Sequence, residues 1–184
     1  MELVRPALEH LRDYAAALER GWSADNTRGL EGTREEMAQI KSDGERFVSL
    51  LTDWRAAGPV TLPDGSKVPR LPSYRMWMWD GEFCGSIGLR WQPGTVELPP
   101  HVLGHIGYTV VPWKQRRGYA TKALALMLPR ARAEGLPHVD LTADADNSAS
   151  QKVITANGGV FVERFLKPPS QGGAESLRFR IALL

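Results

Sequence analysis

Cysteine occurs once in this 184-residue chain, at Cys84, so neither an internal disulfide nor a multi-cysteine metal site can form. That usage fits a reducing cytoplasm. No apolar stretch is long enough to span a bilayer, and the start, Met1-Glu2-Leu3-Val4-Arg5-Pro6, lacks the apolar run of a secretion signal. A soluble cytoplasmic protein without a membrane partner is the expectation. Charge of one sign is also scarce. The 23 Lys and Arg against 21 Asp and Glu leave a net charge of +2, too little for a whole surface built to hold nucleic acid. Repeats, low-complexity tracts and linkers are missing too, and 42% apolar with 24% charged residues is the composition of one globular domain over 1–184.

The chain changes period along its length. Residues 2–5 suit a short strand, and Leu8, Leu11, Tyr14, Ala15 and Leu18 then repeat at helical spacing up to Gly21. Thr33-Arg34-Glu35-Glu36 has the form of a capping box and predicts a second helical region through Trp54, broken at Gly44. Gly and Pro gather over 56–72 around Asp64-Gly65, a hairpin signal. Tyr74–Trp79 and Phe83–Trp91, joined by Asp80-Gly81, read as two antiparallel strands, and His105–Val111 as another, ended by Pro112. Thereafter the pattern is a helix over Gly118–Ala133 containing Pro129, a strand Val139–Ala143, a short helix Ser148–Asn157 ended by Gly158-Gly159, and strands Val160–Phe165 and Leu177–Leu183. Cys84, in an apolar stretch with no His or acid beside it, reads as a small core residue.

Chemistry concentrates at the passage from strand to helix, Val110-Val111-Pro112-Trp113-Lys114-Gln115-Arg116-Arg117-Gly118-Tyr119-Ala120-Thr121. A helix start leaves backbone N–H groups unpaired and carries partial positive charge; Gly118 and Ala120 permit close approach, and Lys114, Arg116 and Arg117 raise the potential. A diphosphate is the natural guest. The spacing is neither GxGxxG nor GxxxxGK[ST]. Gln115-x-x-Gly118-x-Ala120 resembles the Q/R-x-x-G-x-G/A acyl-CoA signature of the GNAT superfamily of N-acetyltransferases. Asp146-Asn147-Ser148-Ala149-Ser150, leading through Val153 to Asn157-Gly158-Gly159, is similar to that family's second landmark, a strand-end Asn opening a short helix. With Gly104-His105-Ile106-Gly107-Tyr108, the runs look like a bacterial subgroup of acetyltransferases.

The resemblance implies an α/β (α+β) fold with a mixed, mostly antiparallel central sheet flanked by helices, its fourth and fifth strands splayed into a slot for acetyl-CoA. Carried over by position, Val110 and Val111 would bond the pantetheine arm, with the Val111 N–H polarising the thioester carbonyl. Gln115, Arg116, Arg117, Gly118, Tyr119, Ala120 and Thr121 would cradle the pyrophosphate, Asn147 would bond the arm, and Ser150 and Lys152 are candidates for the cofactor's far side. The implied reaction is direct attack by an amine of a small molecule or peptide, with no covalent enzyme intermediate. An acyl-CoA-binding module without efficient turnover is the alternative, because the Tyr that many members place seven residues after the Asn is here Ile154. A homodimer is left open.

In place of that Tyr, His105 is a candidate base and Tyr108 a candidate acid, on opposite faces of their strand by alternation. The connection between the first two helices commonly borders the acceptor in this family, so Trp22, Asp25, Asn26 and Arg28 are candidate substrate contacts, and Trp77 a candidate pocket wall. The spacing of His101 and His105 does not converge on one ion in a strand, and no metal is expected. The isolated basic loop speaks for a local phosphate site and against a nucleic-acid partner.

Overall fold

The computed structural model describes every residue except 26, 27, 53, 56, 57, 62–65 and 184. Strand β1 (Glu2–Val4) leads into α1 (Leu8–Glu19), whose stripe of Tyr14, Ala17 and Leu18 is buried. Helices α2 (Leu30–Ser42) and α3 (Gly44–Leu51) follow, and the break between them is set by Asp43, whose carboxylate accepts from Arg46 N–H at 2.9 Å. The helix therefore starts at Leu30, upstream of the Thr33 capping box. Thr33 is buried inside it, and its hydroxyl donates to the Trp22 carbonyl at 3.2 Å. The capping reading fails because that hydroxyl ties the helix to the preceding loop. Strands β2 (Pro59–Thr61) and β3 (Lys67–Pro69) pair as an antiparallel ribbon, while the Asp64-Gly65 turn expected between them lies outside the described residues.

Strands β4 (Ser73–Trp79), β5 (Phe83–Arg90) and β6 (Ile106–Val110) join β1 in one sheet of order β1-β4-β5-β6. A bulge between Met78 and Trp79 leaves Cys84 without a partner across the ladder. Beyond it Met76, Met78, Ile87 and Leu89 face one side of the sheet, and Trp77 faces the other. Helix α4 (Tyr119–Ala133) carries the chain back, so that β7 (His138–Asp144) runs in the direction of β6. Pro129 lies inside α4. Helix α5 (Ser148–Thr155), β8 (Val160–Leu166) and β9 (Glu175–Ala182) complete a second sheet, of order β7-β9-β8. Leaving the β2–β3 ribbon out of the count, β6 and β7 are the fourth and fifth strands, and they belong to different sheets.

Two cores hold the layers. Ala123, Leu124 and Met127 of α4, with Ile154 of α5, pack on the first face against Val139, Leu141 and Phe179. Tyr14, Leu18, Trp22, Phe47, Trp77 and Phe83 form the aromatic core on the second, with Tyr14 stacked on Trp77 at 4.7 Å. Each fully buried Leu or Ile contributes about 2 kcal/mol. The first core therefore holds β6 and β7 against α4 and α5 without pairing them along their length.

Candidate active site

The site begins where β6 ends. A single 3-10 turn at Pro112–Lys114 diverts the chain, and Arg116 (φ 62°) and Gly118 (φ 74°) both take left-handed backbone conformations on either side of Arg117. This curls the segment into a concavity of amides. Among the described residues, the backbone N–H groups of Arg116, Arg117, Gly118, Tyr119, Ala120 and Thr121 have no hydrogen-bond acceptor. Six free donors at the start of a 15-residue helix make an anion cradle. Arg116 and Arg117 are exposed beside it.

Lys114 is turned away: its ammonium pairs with Asp80 at 2.9 Å and Glu82 at 3.1 Å in and beside the β4–β5 turn. Tyr119 also donates to Asp80, and these bonds, with Tyr119 the larger contributor, hold the Asp80 carboxyl well below its usual pKa. Lys114 thus anchors the loop and does not line the cradle. The Gln115 side chain folds back and donates to the Val110 carbonyl at 3.3 Å.

Between β6 and β7 the sheet opens. At the closed end, His105 N–H donates to the Asp140 carbonyl at 2.7 Å, and Asp140 N–H donates to Nδ1 of His105 at 3.0 Å. Nε2 of His105 sits 3.1 Å from the Val96 carbonyl. Because Nδ1 accepts, Nε2 carries the proton and donates. His105 is 1% exposed, and burial lowers its pKa. Both nitrogens of the sequence-derived base candidate are therefore occupied by backbone, and neither is free to receive a proton. Gly104 is required here, since a Cβ would lie 2.9 Å from the Asp140 carbonyl oxygen.

Ladder parity decides which backbone groups enter the slot. Arg90 N–H bonds the His105 carbonyl and Val111 N–H bonds the Cys84 carbonyl at 2.9 Å, so odd-numbered residues of this strand are spent on β5. The N–H and C=O of Tyr108 and Val110 consequently point the other way, toward β7. The sequence-derived assignment of the inward N–H to Val111 is corrected to Val110. Val111 is 0% exposed, with its side chain in the aromatic core.

Across the open end, Tyr108 reaches from β6 to α5, where its hydroxyl lies 2.8 Å from the Ser150 hydroxyl. Burial raises the Tyr108 pKa to about 12. Asn147 caps α5 by accepting from Ser150 N–H at 3.0 Å. Its amide N–H₂ makes no hydrogen bond among the described residues. Lys152 is exposed on α5, and Ile154 is fully buried in the core, where Gly159 leaves the space its methyl needs. Asn157 donates to the Thr121 carbonyl at 3.2 Å and thereby fixes α5 to the first turn of α4.

On the second face, Trp22 donates from Nε1 to the Thr109 hydroxyl at 3.1 Å, which brings the α1–α2 connection against β6. Asp25 accepts from Arg28 Nε at 2.8 Å, and Arg28 also pairs with Glu35 at 2.6 Å. Asn26 lies outside the described residues. Trp77, the expected pocket wall, is 0% exposed, and its indole N–H is buried without a hydrogen-bond partner among the described residues. Packing against Tyr14 and Phe83 makes it a core residue with no face toward solvent. The sequence carried no signal for Glu36, which accepts from Tyr14 at 2.6 Å and Arg75 at 3.1 Å, nor for Arg90. Among the described residues no three His, Cys, Asp or Glu side chains come together as a metal site, and no helix is long and apolar enough to cross a membrane.

Residues 3–160 match the acetyltransferase (GNAT) domain family. No curated protein matches the sequence. The fold is similar to that of RimL, a ribosomal L7/L12 alpha-N-protein acetyltransferase solved with coenzyme A, at 14% identity over 98% of this chain and 93% of that one, with a TM-score of 0.63. It is also similar to a spermidine N-acetyltransferase chimera from Vibrio cholerae and hSSAT, at 12% identity over 100% and 97%, with a TM-score of 0.60. The microcin C7 self-immunity acetyltransferase MccE, solved with acetyl-CoA and AMP, aligns at 12% identity over 98% and 91%, with a TM-score of 0.56. At such identities the solved structures speak for the fold alone. With the domain match covering most of its length, the slot between two sheets and the amide cradle at its mouth, the chain belongs to the GNAT family of acyl-CoA-dependent acetyltransferases.

Proposed function

We propose that this protein transfers an acetyl group from acetyl-CoA to an amine of a small molecule or peptide, both reactants being held together in the slot. The observation that carries the reading is the row of six unpaired N–H groups from Arg116 to Thr121, opening beside the inward-facing backbone of Val110. Those donors suit the oxygens of a diphosphate, with Arg116 and Arg117 adding charge. Val110 offers a strand-like N–H to an amide-bearing arm, and the Asn147 amide adds a donor at the far lip. Acetyl-CoA bound there would supply the activated thioester.

The chain's own contribution is positional and electrostatic. The Val110 N–H is preorganised to stabilise negative charge developing on an acyl oxygen, an effect worth about 3–4 kcal/mol when such a donor is removed. Tyr108 stays protonated at neutral pH, since its pKa is raised to about 12, and its hydroxyl is held at the slot by Ser150. It is the group fitted to protonate a leaving thiolate in place of the tyrosine that position 154 lacks. The reading leaves His105 outside the proton path and gives no part to Trp77. Lys152 keeps a contact with the cofactor's outer portion as a proposal, and Ser150 acts through Tyr108.

The buried Ile154 favours a second reading, an acyl-CoA-binding module with little turnover. A panel of primary amines with acetyl-CoA, followed by release of free CoA thiol, separates the two. Amine-dependent release supports the transferase, and binding of acetyl-CoA without release supports the module.

A further inference from the structure

Two glycines stand side by side on the second face of the main sheet. Gly88 of β5 is opposite Arg75 of β4 on one flank and Gly107 of β6 on the other. Neither carries a side chain, so the floor there is bare, and both residues are half-open to solvent although they lie within the sheet. Arg90 is on the same face of β5, and a Cβ built on Gly107 would lie 3.2 Å from its Nη2. Its guanidinium therefore leans across β6 toward the slot.

The charged side chains around this floor stand in ion pairs, with one exception. Glu36 is paired with Arg75 and accepts from the Tyr14 hydroxyl, and Arg28 pairs with both Asp25 and Glu35. Arg90 makes no hydrogen bond and no ion pair among the described residues. Arg75 repels it and Asp25 attracts it, yet neither is paired with it, and burial lowers its pKa even though its surface is exposed. A guanidinium that is open to water and makes no hydrogen bond or ion pair of its own among the described residues is available to an anion from outside. The planar fork of a guanidinium matches the two oxygens of a carboxylate.

We propose that Arg90, above the Gly88–Gly107 floor, binds a carboxylate of the acceptor, so that the amines acetylated here are ones that also carry an acid group. This rests on the proposed transfer beside Val110. Three residues along β6 separate Val110 from Gly107, roughly 10 Å. The acceptor's amine and carboxylate are accordingly several bonds apart. An ω-amino acid has that spacing, and so does a peptide whose terminal amine precedes an acidic side chain.

The test measures binding by titration calorimetry in the presence of CoA, using 6-aminohexanoate against its methyl ester and an alanyl-aspartyl dipeptide amide against its asparaginyl counterpart. The unaltered protein is expected to bind at least one acid tenfold or more tightly than its neutral partner, and the arm that shows it identifies the source. Arg90→Gln, at an exposed side chain, is expected to abolish the preference while acetyl-CoA affinity stays within twofold. Equal binding of acid and neutral partner, an acid preference surviving in Arg90→Gln, or no binding by either acid overturns the proposal. Failure of acetyl-CoA to bind the unaltered protein would strike the transfer reading instead, and the two failures are read in separate titrations.

Discussion

His105 and Asp140 exchange two hydrogen bonds at the apex of the slot, one from backbone to backbone at 2.7 Å and one from the Asp140 N–H to the imidazole at 3.0 Å. The ring thus occupies the place of a ladder carbonyl and closes β6 onto β7 where no further pairing follows. Its other nitrogen fastens the 92–104 connection through Val96. The width of the slot is set from this point.

His105→Ala leaves the Asp140 N–H buried without an acceptor, at a cost of about 1–3 kcal/mol. Urea unfolding is expected to show that loss, and His105→Gln, whose amide can both accept and donate, to recover part of it. Acetyl-CoA affinity is expected to weaken more than kcat. A fall in kcat alone would return His105 to the proton path.

The same ring gives stability a pH dependence of known sign. Burial lowers its folded-state pKa below the ordinary 6.5, so the unfolded chain takes up the proton first. Stability from this group is complete above pH 6.5 and declines as pH falls through and below that value. Midpoints of urea unfolding between pH 7.5 and 5 are expected to decline more steeply in the unaltered protein than in His105→Gln. Parallel slopes would contradict the assignment.

Tyr108→Phe keeps the ring and removes the hydroxyl held by Ser150. Turnover is expected to fall about 100-fold, within the range for loss of a general acid, while stabilisation by acetyl-CoA is retained. Unchanged kcat would remove Tyr108 from the mechanism.

Gly104→Ala puts a methyl 2.9 Å from the Asp140 carbonyl oxygen and 3.3 Å from Leu141 Cα. Both are backbone atoms of a core strand and cannot yield without moving β7. A loss of about 1–3 kcal/mol in urea unfolding is expected, together with weaker acetyl-CoA binding. Unaltered stability would mean that the apex is looser than these contacts require.

Much of the fold is legible in the sequence because its signals are local. The Asp80-Gly81 turn and the apolar stripe of α4 each act within a few residues, and each is found where its pattern points. The amide cradle was legible for the same reason, being a strand end, a glycine and a helix start in sequence order. What escaped depends on partners far along the chain. Thr33 has the chemistry of a cap, but its hydroxyl is claimed by Trp22 in the fold. Whether Val110 or Val111 faces the slot turns on register with β5, which a single strand does not carry. The same holds for His105, whose role is decided by Asp140, 35 residues away. Arg90 has no motif at all and becomes notable only because Gly88 and Gly107 pair beside it.

The proposed acetyl-CoA site at the Arg116–Thr121 cradle is tested most directly by titrating acetyl-CoA into the protein and its Gly118→Glu variant while following the melting temperature. Gly118 holds φ 74°, so the substitution both strains the loop and places a carboxylate among the free amides. At 100 times the dissociation constant, a ligand bound only by the folded state adds about 2.7 kcal/mol, a rise of several degrees. The expected result is a saturable rise for the unaltered protein and none for Gly118→Glu; no rise at millimolar acetyl-CoA, or an equal rise in both, would contradict it.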